Sequence, residues 1–104
     1  MTVQETLIQA IELQAAGQAD AAAARFRDVL ALDPANGHAQ YSLGLLAMQA
    51  GDLPQALHWC ETGVAANPSF APLHYLQGAV LQEAGRKDDA LQSFDNALQL
   101  QPDY

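Results

Sequence analysis

The chain has 104 residues, 50% of them hydrophobic, and carries four Lys and Arg side chains against twelve Asp and Glu, giving a net charge of −8. This size and apolar content predict a single domain, residues 1–104, with its own hydrophobic core. The acidic balance excludes nucleic acids and anionic membrane surfaces as expected partners, because both require a basic protein surface. A single cysteine excludes an internal disulfide and a multi-cysteine metal site.

The N-terminal segment shows no basic stretch followed by an apolar stretch, so the sequence does not predict a signal peptide. No run of about 18 apolar residues occurs that could cross a membrane. We therefore expect a cytoplasmic protein.

The predicted elements are helices, because the sequence is rich in Ala, Leu and Gln and lacks long β-branched runs. Thr2 and Glu5 form a capping-box pair at the start of the first helix, which ends before Gly17. The second helix ends before Pro34, because the residue before a proline avoids the helical conformation.

The third helix ends before Gly51, and the fourth begins at Asp52, which we interpret as an N-cap with Gln55 as its reciprocal partner. The fourth helix stops at Asn67-Pro68. The fifth ends before Gly85, and the sixth has Asp88 and Asp89 in its first turn, where carboxylates favour the helix dipole. The sixth helix stops at Gln101-Pro102.

This order of helix, glycine turn, helix and proline recurs every 34 residues. The positions in register are Pro34, Pro68 and Pro102; Gly17, Gly51 and Gly85; Ala22, Ala56 and Ala90; Ala10, Gly44 and Gly78; and Phe26, Cys60 and Phe94. Small residues at fixed helical positions indicate that two helix axes approach closely there. One such unit cannot bury its own faces, so stability should come from stacking of neighbouring units.

A 34-residue unit with a Leu43-Gly44 pair, Ala22…Phe26 and Ala90…Phe94 pairs, and a closing proline resembles the tetratricopeptide repeat over the whole chain. The resemblance implies an all-α solenoid of three helix-turn-helix repeats (about 3–36, 37–70 and 71–104), with six antiparallel helices in a right-handed superhelix. The early Trp of the family pattern is replaced by Thr6, Gln40 and His74. We expect these replacements to loosen the packing without changing the fold.

The resemblance also implies a function, the binding of a peptide or partner helix in a concave groove lined by the first helix of each repeat. Spacings of three and four residues select the side chains predicted to line this groove. They are Gln4, Leu7, Ile11 and Gln14; His38, Tyr41, Leu45 and Met48; and Pro72, Tyr75, Ala79 and Gln82. An apolar stripe of this kind can also be core, and both interpretations remain open. The nearly uncharged strip favours an apolar or basic protein partner over an acidic one.

Two specialised grooves of the family are not expected. The clamp for a C-terminal carboxylate requires Lys, Asn and Arg, but the matching positions hold Leu7, Ile11, Ser42, Pro72 and Leu76. The asparagine ladder of O-linked glycosyltransferase repeats would require Asn at Ile8, Ser42 and Leu76.

The residue patterns do not predict an enzyme, a cofactor or a metal site. His38, His58 and His74 share no helical face at ligand spacing, and Cys60 occupies the position of Phe26 and Phe94, which predicts a buried thiol. We expect Trp59 to cover a convex or inter-repeat surface.

The sixth helix is expected to leave an apolar face partly uncovered, which we call the third-repeat edge: Leu91, Phe94 and Leu98. Three hypotheses follow. The chain is a protein-binding scaffold; or it is the N-terminal targeting module of a larger bacterial enzyme such as a glycosyltransferase; or it is a structural unit that self-associates through this edge.

Overall fold

The structure is a computed structural model that describes residues 1–103; the last residue of the predicted third repeat lies outside them. Six α-helices follow one another in this range: α1 (Val3–Ala15), α2 (Ala19–Leu32), α3 (Gly37–Gln49), α4 (Leu53–Ala66), α5 (Ala71–Glu83) and α6 (Lys87–Leu100). They pair as α1 with α2, α3 with α4, and α5 with α6, and each pair packs on the next. The predicted all-α solenoid of three helical hairpins is confirmed.

The turn inside each hairpin is closed by a glycine with positive φ: 76° at Gly17, 81° at Gly51 and 80° at Gly85. A residue with a Cβ rarely adopts this conformation, which closes a helix C-terminus by bonding back to free carbonyl groups. At the first turn, the backbone N–H of Gln18 donates to the carbonyl of Leu13 at 3.0 Å. The spacing of these glycines alone therefore predicted the turns correctly.

The predicted helix caps are present, with one difference. Thr2 and Glu5 form the full capping box, and hydrogen bonds from the Thr2 backbone and hydroxyl hold the pKa of Glu5 below its usual value. Asp52 accepts a hydrogen bond from the backbone N–H of Gln55 at 3.2 Å. The described contacts include no bond from the Gln55 side chain back to Asp52, so only half of the predicted reciprocal cap forms there.

The core lies between the hairpins as well as inside them. One cluster joins the first two repeats and contains the fully buried Phe26 and Val29 of α2 together with Ala39 and Leu43 of α3. A second cluster joins the second and third repeats and is built from Ala56, Cys60, Leu76 and Val80. Each repeat is therefore stabilised by burial against its neighbour, as the solenoid prediction required.

The three residues that stand in place of the early Trp of the family pattern are enclosed by the fold. Thr6, Gln40 and His74 are all buried. Gln40 Nε2 donates to the carbonyl of Pro34 at 3.2 Å, and His74 Nε2 lies 2.8 Å from the carbonyl of Pro68, which is the equivalent residue one repeat later. A side chain of α3 or α5 thus holds the loop that ends the preceding repeat, and polar bonds replace the packing of an indole.

Within residues 1–103, none of the helices combines the length and the hydropathy that a membrane span requires.

Candidate binding surface

The contacts between helices of neighbouring repeats indicate which side of the second and third repeats is concave. Helix α3 packs directly on α5, whereas α1 with α3, α2 with α4 and α4 with α6 make no comparable contact. Helices that touch along one side and are spread apart on the other give a curved array, with the touching helices on the concave side. The twelve predicted groove residues all lie on α1, α3 and α5.

None of the twelve side chains is buried in the core. Five are exposed: Gln4, Ile11, His38, Tyr75 and Gln82. Seven are half-buried: Leu7, Gln14, Tyr41, Leu45, Met48, Pro72 and Ala79. The half-buried apolar members Tyr41, Leu45 and Met48 pack against the second core cluster, so they are held in place from below and retain an accessible side. This partial burial agrees with side chains that line an open groove and with side chains at the edge of the hydrophobic core. The sequence left both interpretations open.

The centre of this surface carries no acidic or basic side chain, since α3 contains neither Asp, Glu, Lys nor Arg. His38 is its only titratable group besides the tyrosines, and its ring lies 6.2 Å from that of Phe26. An uncharged strip with aromatic, thioether and amide groups can bury an apolar segment and donate or accept a few hydrogen bonds. It offers no cation to bind a carboxylate.

The two tyrosines differ in their surroundings, which the sequence did not predict. Tyr41 is half-buried on α3, whereas Tyr75 is 45% exposed and its ring centre lies 5.4 Å from that of Phe94 on α6. Tyr75 therefore borders both the predicted groove and the third-repeat edge. It lines a cleft of about 210 Å³ together with Phe94, Ala97 and Leu98.

Two of the residues at the positions of the family's specialised grooves lie inside the fold. Ser42 and Leu76 are buried between repeats and do not face a ligand. Trp59 is half-buried against the first core cluster and lines a cleft between the first and second repeats, with the ring of His58 at 5.4 Å. Within the described residues, no three His, Cys, Asp or Glu side chains come together as a metal site would require.

Cys60 is fully buried, as predicted from its register with Phe26 and Phe94. Burial, with a smaller contribution from the nearby Glu61 carboxylate, raises the pKa of its thiol to about 12. The thiolate is the nucleophilic form of cysteine, so this side chain is an apolar core group at neutral pH.

Comparison with known proteins agrees with the repeat architecture. Two family models described as tetratricopeptide repeat match residues 13–80 and 71–104. No curated protein matches.

Among solved structures, the first tetratricopeptide domain of Spaghetti (RPAP3), bound to an HSP90 peptide, has 18% identity and a TM-score of 0.92, covering 98% of this chain and 81% of its own. MamA has 22% identity and a TM-score of 0.89, covering 98% of this chain and 60% of its own. These two likenesses concern the fold.

A third structure, the O-GlcNAc transferase of Thermobaculum terrenum, has 33% identity and a TM-score of 0.91, covering 98% of this chain. The match spans only 20% of the transferase, so it concerns the repeat region of that enzyme. The matched family models, the 34-residue register and the six-helix solenoid together establish that this chain belongs to the tetratricopeptide repeat family.

Proposed function

We propose that the chain is a protein-interaction module that holds an apolar or basic peptide, or a partner helix, in the concave groove formed by α1, α3 and α5. The observation that carries this proposal is the uncharged α3 surface, in which Tyr41, Leu45 and Met48 are fixed by the core and remain partly accessible. Fixed side chains lose little conformational entropy when a partner binds, and that favours affinity.

The chemistry of the groove argues against an acidic C-terminal peptide as the ligand. The similar Spaghetti repeats are described bound to an HSP90 peptide. Here Leu7, Ile11 and Pro72 stand where the carboxylate clamp of the family has charged or amide side chains. A carboxylate brought against these apolar groups would lose water without gaining a hydrogen-bonded partner. The molecule's net charge of −8 would also slow its approach.

A variant that adds charge to the groove without disturbing the core tests the proposal. Ile11→Lys and His38→Lys change two exposed groove positions, whereas Ala24→Lys and Ala65→Lys make the same charge change at exposed positions of the second helices. We call the double variant with Ala24→Lys and Ala65→Lys the α2/α4 variant, and the one with Ile11→Lys and His38→Lys the groove variant. Affinity capture from the source lysate, followed by direct titration of any retained protein, should show a partner that binds both the wild type and the α2/α4 variant.

The same partner should be lost from the groove variant, with circular dichroism confirming that all three proteins are equally helical. Equal retention by both double variants would show that the groove is not the working surface. Retention lost only with the α2/α4 variant would place binding on the convex side.

A second candidate is a substrate-presenting module that acts together with a glycosyltransferase, with catalysis outside these residues. The 33% identity to the repeat region of the Thermobaculum terrenum O-GlcNAc transferase favours it. In that case the proteins captured through the groove should themselves carry O-linked sugar, which mass spectrometry of the retained fraction would detect. A retained fraction without sugar would count against this candidate and leave the groove proposal standing.

A further inference from the structure

We propose that the cleft between the first and second repeats is a second binding site, and that it receives one arginine side chain of a partner protein. We call it the first-junction cleft. It lies between α2 and α4 and is separate from the groove, so it does not depend on the function proposed for the groove.

The first-junction cleft forms because α2 and α4 both pack on α3 but make no comparable contact with each other. Its volume is about 190 Å³, and a cavity of about 150 Å³ is enough to bind benzene. The floor is formed by Leu46, Ala47 and Ala50 of α3, and Ala23 and Trp59 stand on the two sides. The helical period places these floor residues on the face of α3 opposite to its groove residues.

The equivalent space at the second junction is filled by leucines of the chain itself. Ala19, Ala23 and Ala47 of the first junction correspond to Leu53, Leu57 and Leu81 of the second. Leu53 and Leu57 pack against the second core cluster, and Leu81 is buried. At the first junction Trp59 replaces Ser93 and takes part of the space, but its indole stays half-buried. Three alanines in place of leucines therefore leave room for one side chain from outside.

The end of the first-junction cleft that adjoins the hairpin turns carries two carboxylates, Asp20 and Asp52. The Asp20 carboxylate has neither an ion pair nor a hydrogen bond within residues 1–103. Asp52 uses one carboxylate oxygen to accept from the backbone N–H of Gln55 at 3.2 Å. Its second oxygen can accept further hydrogen bonds. This end of the cleft can therefore hold the head group of a cation.

The helix ends at this position do not cancel the two carboxylates. The N-termini of α2 and α4 each contribute about half a positive charge, and the C-terminus of α3 contributes about half a negative charge. The last turn of α3 contains no basic residue. The sum at this end is about one and a half negative charges, on a chain of net charge −8. A cation is therefore attracted to the cleft and an anion is repelled.

Arg27 lines the other end of the first-junction cleft. It lies seven residues after Asp20 on α2, so their Cα atoms are about 10 Å apart along the helix axis. Arg27 has no ion pair within residues 1–103, and it therefore leaves both carboxylates available. Its positive charge opposes a second basic residue beside the bound arginine.

Trp59 gives the cleft its preference for arginine. Its indole packs against the first core cluster, and the ring of His58 lies edge-on to it at 5.4 Å. A side chain held in this way loses little entropy on binding. The aliphatic stem of an arginine can lie on the indole while its guanidinium reaches Asp20 and Asp52. The guanidinium also matches a carboxylate with two parallel hydrogen bonds, which an ammonium group cannot make.

Trp59 is the single tryptophan of the chain and serves as the reporter of binding. The probe is arginine blocked by an acetyl group and a methylamide. Blocked citrulline has nearly the same shape without the charge, and blocked glutamate has the opposite charge. Binding of each probe to the full chain is followed by tryptophan fluorescence and by NMR shifts of the indole N–H and the backbone amides.

Blocked arginine should shift the indole N–H of Trp59 and the amides of Ala47 and Ala50. Blocked citrulline should bind about fivefold more weakly, with the difference falling as salt rises, because it cannot form the ion pairs. Blocked glutamate should bind more weakly than blocked citrulline. Arg27→Gln should tighten arginine binding about twofold, because a like charge is removed.

Two pairs of variants test the space and the charge separately. Ala23→Leu fills the cleft as Leu57 does at the second junction, and it should weaken arginine binding at least about tenfold while circular dichroism stays unchanged. Ala24→Leu makes the same change at an exposed neighbour and should leave binding intact. Asp20→Asn should weaken binding about threefold. Asp88→Asn removes a carboxylate from the equivalent first turn of α6 and should have no effect.

Five results would overturn the proposal. No change of the indole signals up to the solubility limit of blocked arginine would show that there is no site. Equal binding of citrulline would show that the carboxylates play no part, and tighter binding of glutamate would assign the cleft to an anion held by Arg27. Unaltered binding in Ala23→Leu would place the arginine elsewhere on the acidic surface. Tighter binding of free than of blocked arginine would identify a small-molecule ligand in place of a protein side chain.

Discussion

The two Cδ atoms of Leu73 lie 2.8 and 2.9 Å from the position that a Cβ would occupy on Gly63, so a leucine of α5 rests directly on a glycine of α4. One repeat earlier the sizes are reversed, with Val29 on α2 and Ala39 on α3. Each junction is filled by one large and one small side chain, contributed by opposite helices. The total volume is kept while the shape changes, which is the kind of exchange that cores tolerate best.

This relationship predicts strong coupling between the two positions. Gly63→Val alone should lower the free energy of unfolding by about 2 kcal/mol, because the fully buried Leu73 cannot move out of its way. Leu73→Ala alone should lower it by about 2–4 kcal/mol through the cavity it leaves. The double variant with Gly63→Val and Leu73→Ala has the same side-chain sizes as Val29 and Ala39 at the first junction. It should therefore recover most of the free energy of unfolding that the two single variants lose together.

Urea denaturation of the four proteins gives the coupling energy as a double-mutant cycle. We expect a favourable coupling of at least about 1 kcal/mol, within the range measured for residues in contact. Additive losses would mean that the junction adjusts by moving helices and that the two side chains do not share one space.

A second prediction concerns the polar residues that hold the loops. Gln40 donates to the Pro34 carbonyl and accepts from Asn67 Nδ2 at 3.1 Å. Within residues 1–103, the His74 ring is hydrogen-bonded through Nε2 to the Pro68 carbonyl alone, and its buried Nδ1 atom has no partner. Because a carbonyl can only accept, His74 Nε2 donates to Pro68, and Nδ1 is left without a hydrogen-bond partner among the described residues.

His74→Gln should therefore change the free energy of unfolding by less than about 1 kcal/mol, because the glutamine can donate to Pro68 as Gln40 does to Pro34. His74→Leu should lower it by about 1–3 kcal/mol, since the carbonyl loses its donor. Adding Gln101→Asn to His74→Gln places an asparagine at the α6 C-cap, as Asn67 is at the α4 C-cap, and should stabilise the single variant. Thermal and urea unfolding measure all three. A His74→Leu protein as stable as the wild type would contradict a structural role for this bond.

The sequence predicted the helices, turns and repeat register because these depend on local chemistry that recurs every 34 residues. The positive φ at Gly17, Gly51 and Gly85 and the capping by Thr2 follow from neighbouring residues alone. The packing between repeats was less predictable. It depends on the exact rotation of one hairpin against the next, which spacing does not determine.

Two particular residues illustrate this limit. The small Gly63 is paired with the large Leu73, which lies ten residues later in the next repeat. No residue pattern in the sequence indicates that these two positions are in contact. Tyr75 was predicted to line the groove from its position on α5, but its contact with Phe94 involves a residue of α6, which the helical period of α5 does not indicate. The groove residues were selected by helical period, which determines a face but not the depth at which each side chain lies.

The last prediction concerns the thiol of Cys60, whose pKa is raised to about 12 in the folded chain against a usual value of 9.0. Between these values the unfolded chain releases the thiol proton and the folded chain retains it, so the unfolded state binds fewer protons and stability falls as pH rises. This contribution is complete below pH 9 and should have fallen by about 1 kcal/mol at pH 10. The extra loss of stability between pH 7.5 and pH 10 should disappear in Cys60→Ala.

Comparing the wild type with Cys60→Ala removes the contribution of tyrosine and lysine side chains to the pH dependence of stability, because both proteins contain the same tyrosines and lysines. Reaction with iodoacetamide at pH 8 gives an independent measurement. The folded wild type should react at least about 100-fold more slowly than the urea-unfolded chain, because the buried thiol must be exposed by opening of the second and third repeats before it ionises. Equal rates in the folded and unfolded proteins, or an unchanged pH dependence in Cys60→Ala, would show that the thiol is accessible and that the junction between these repeats opens readily.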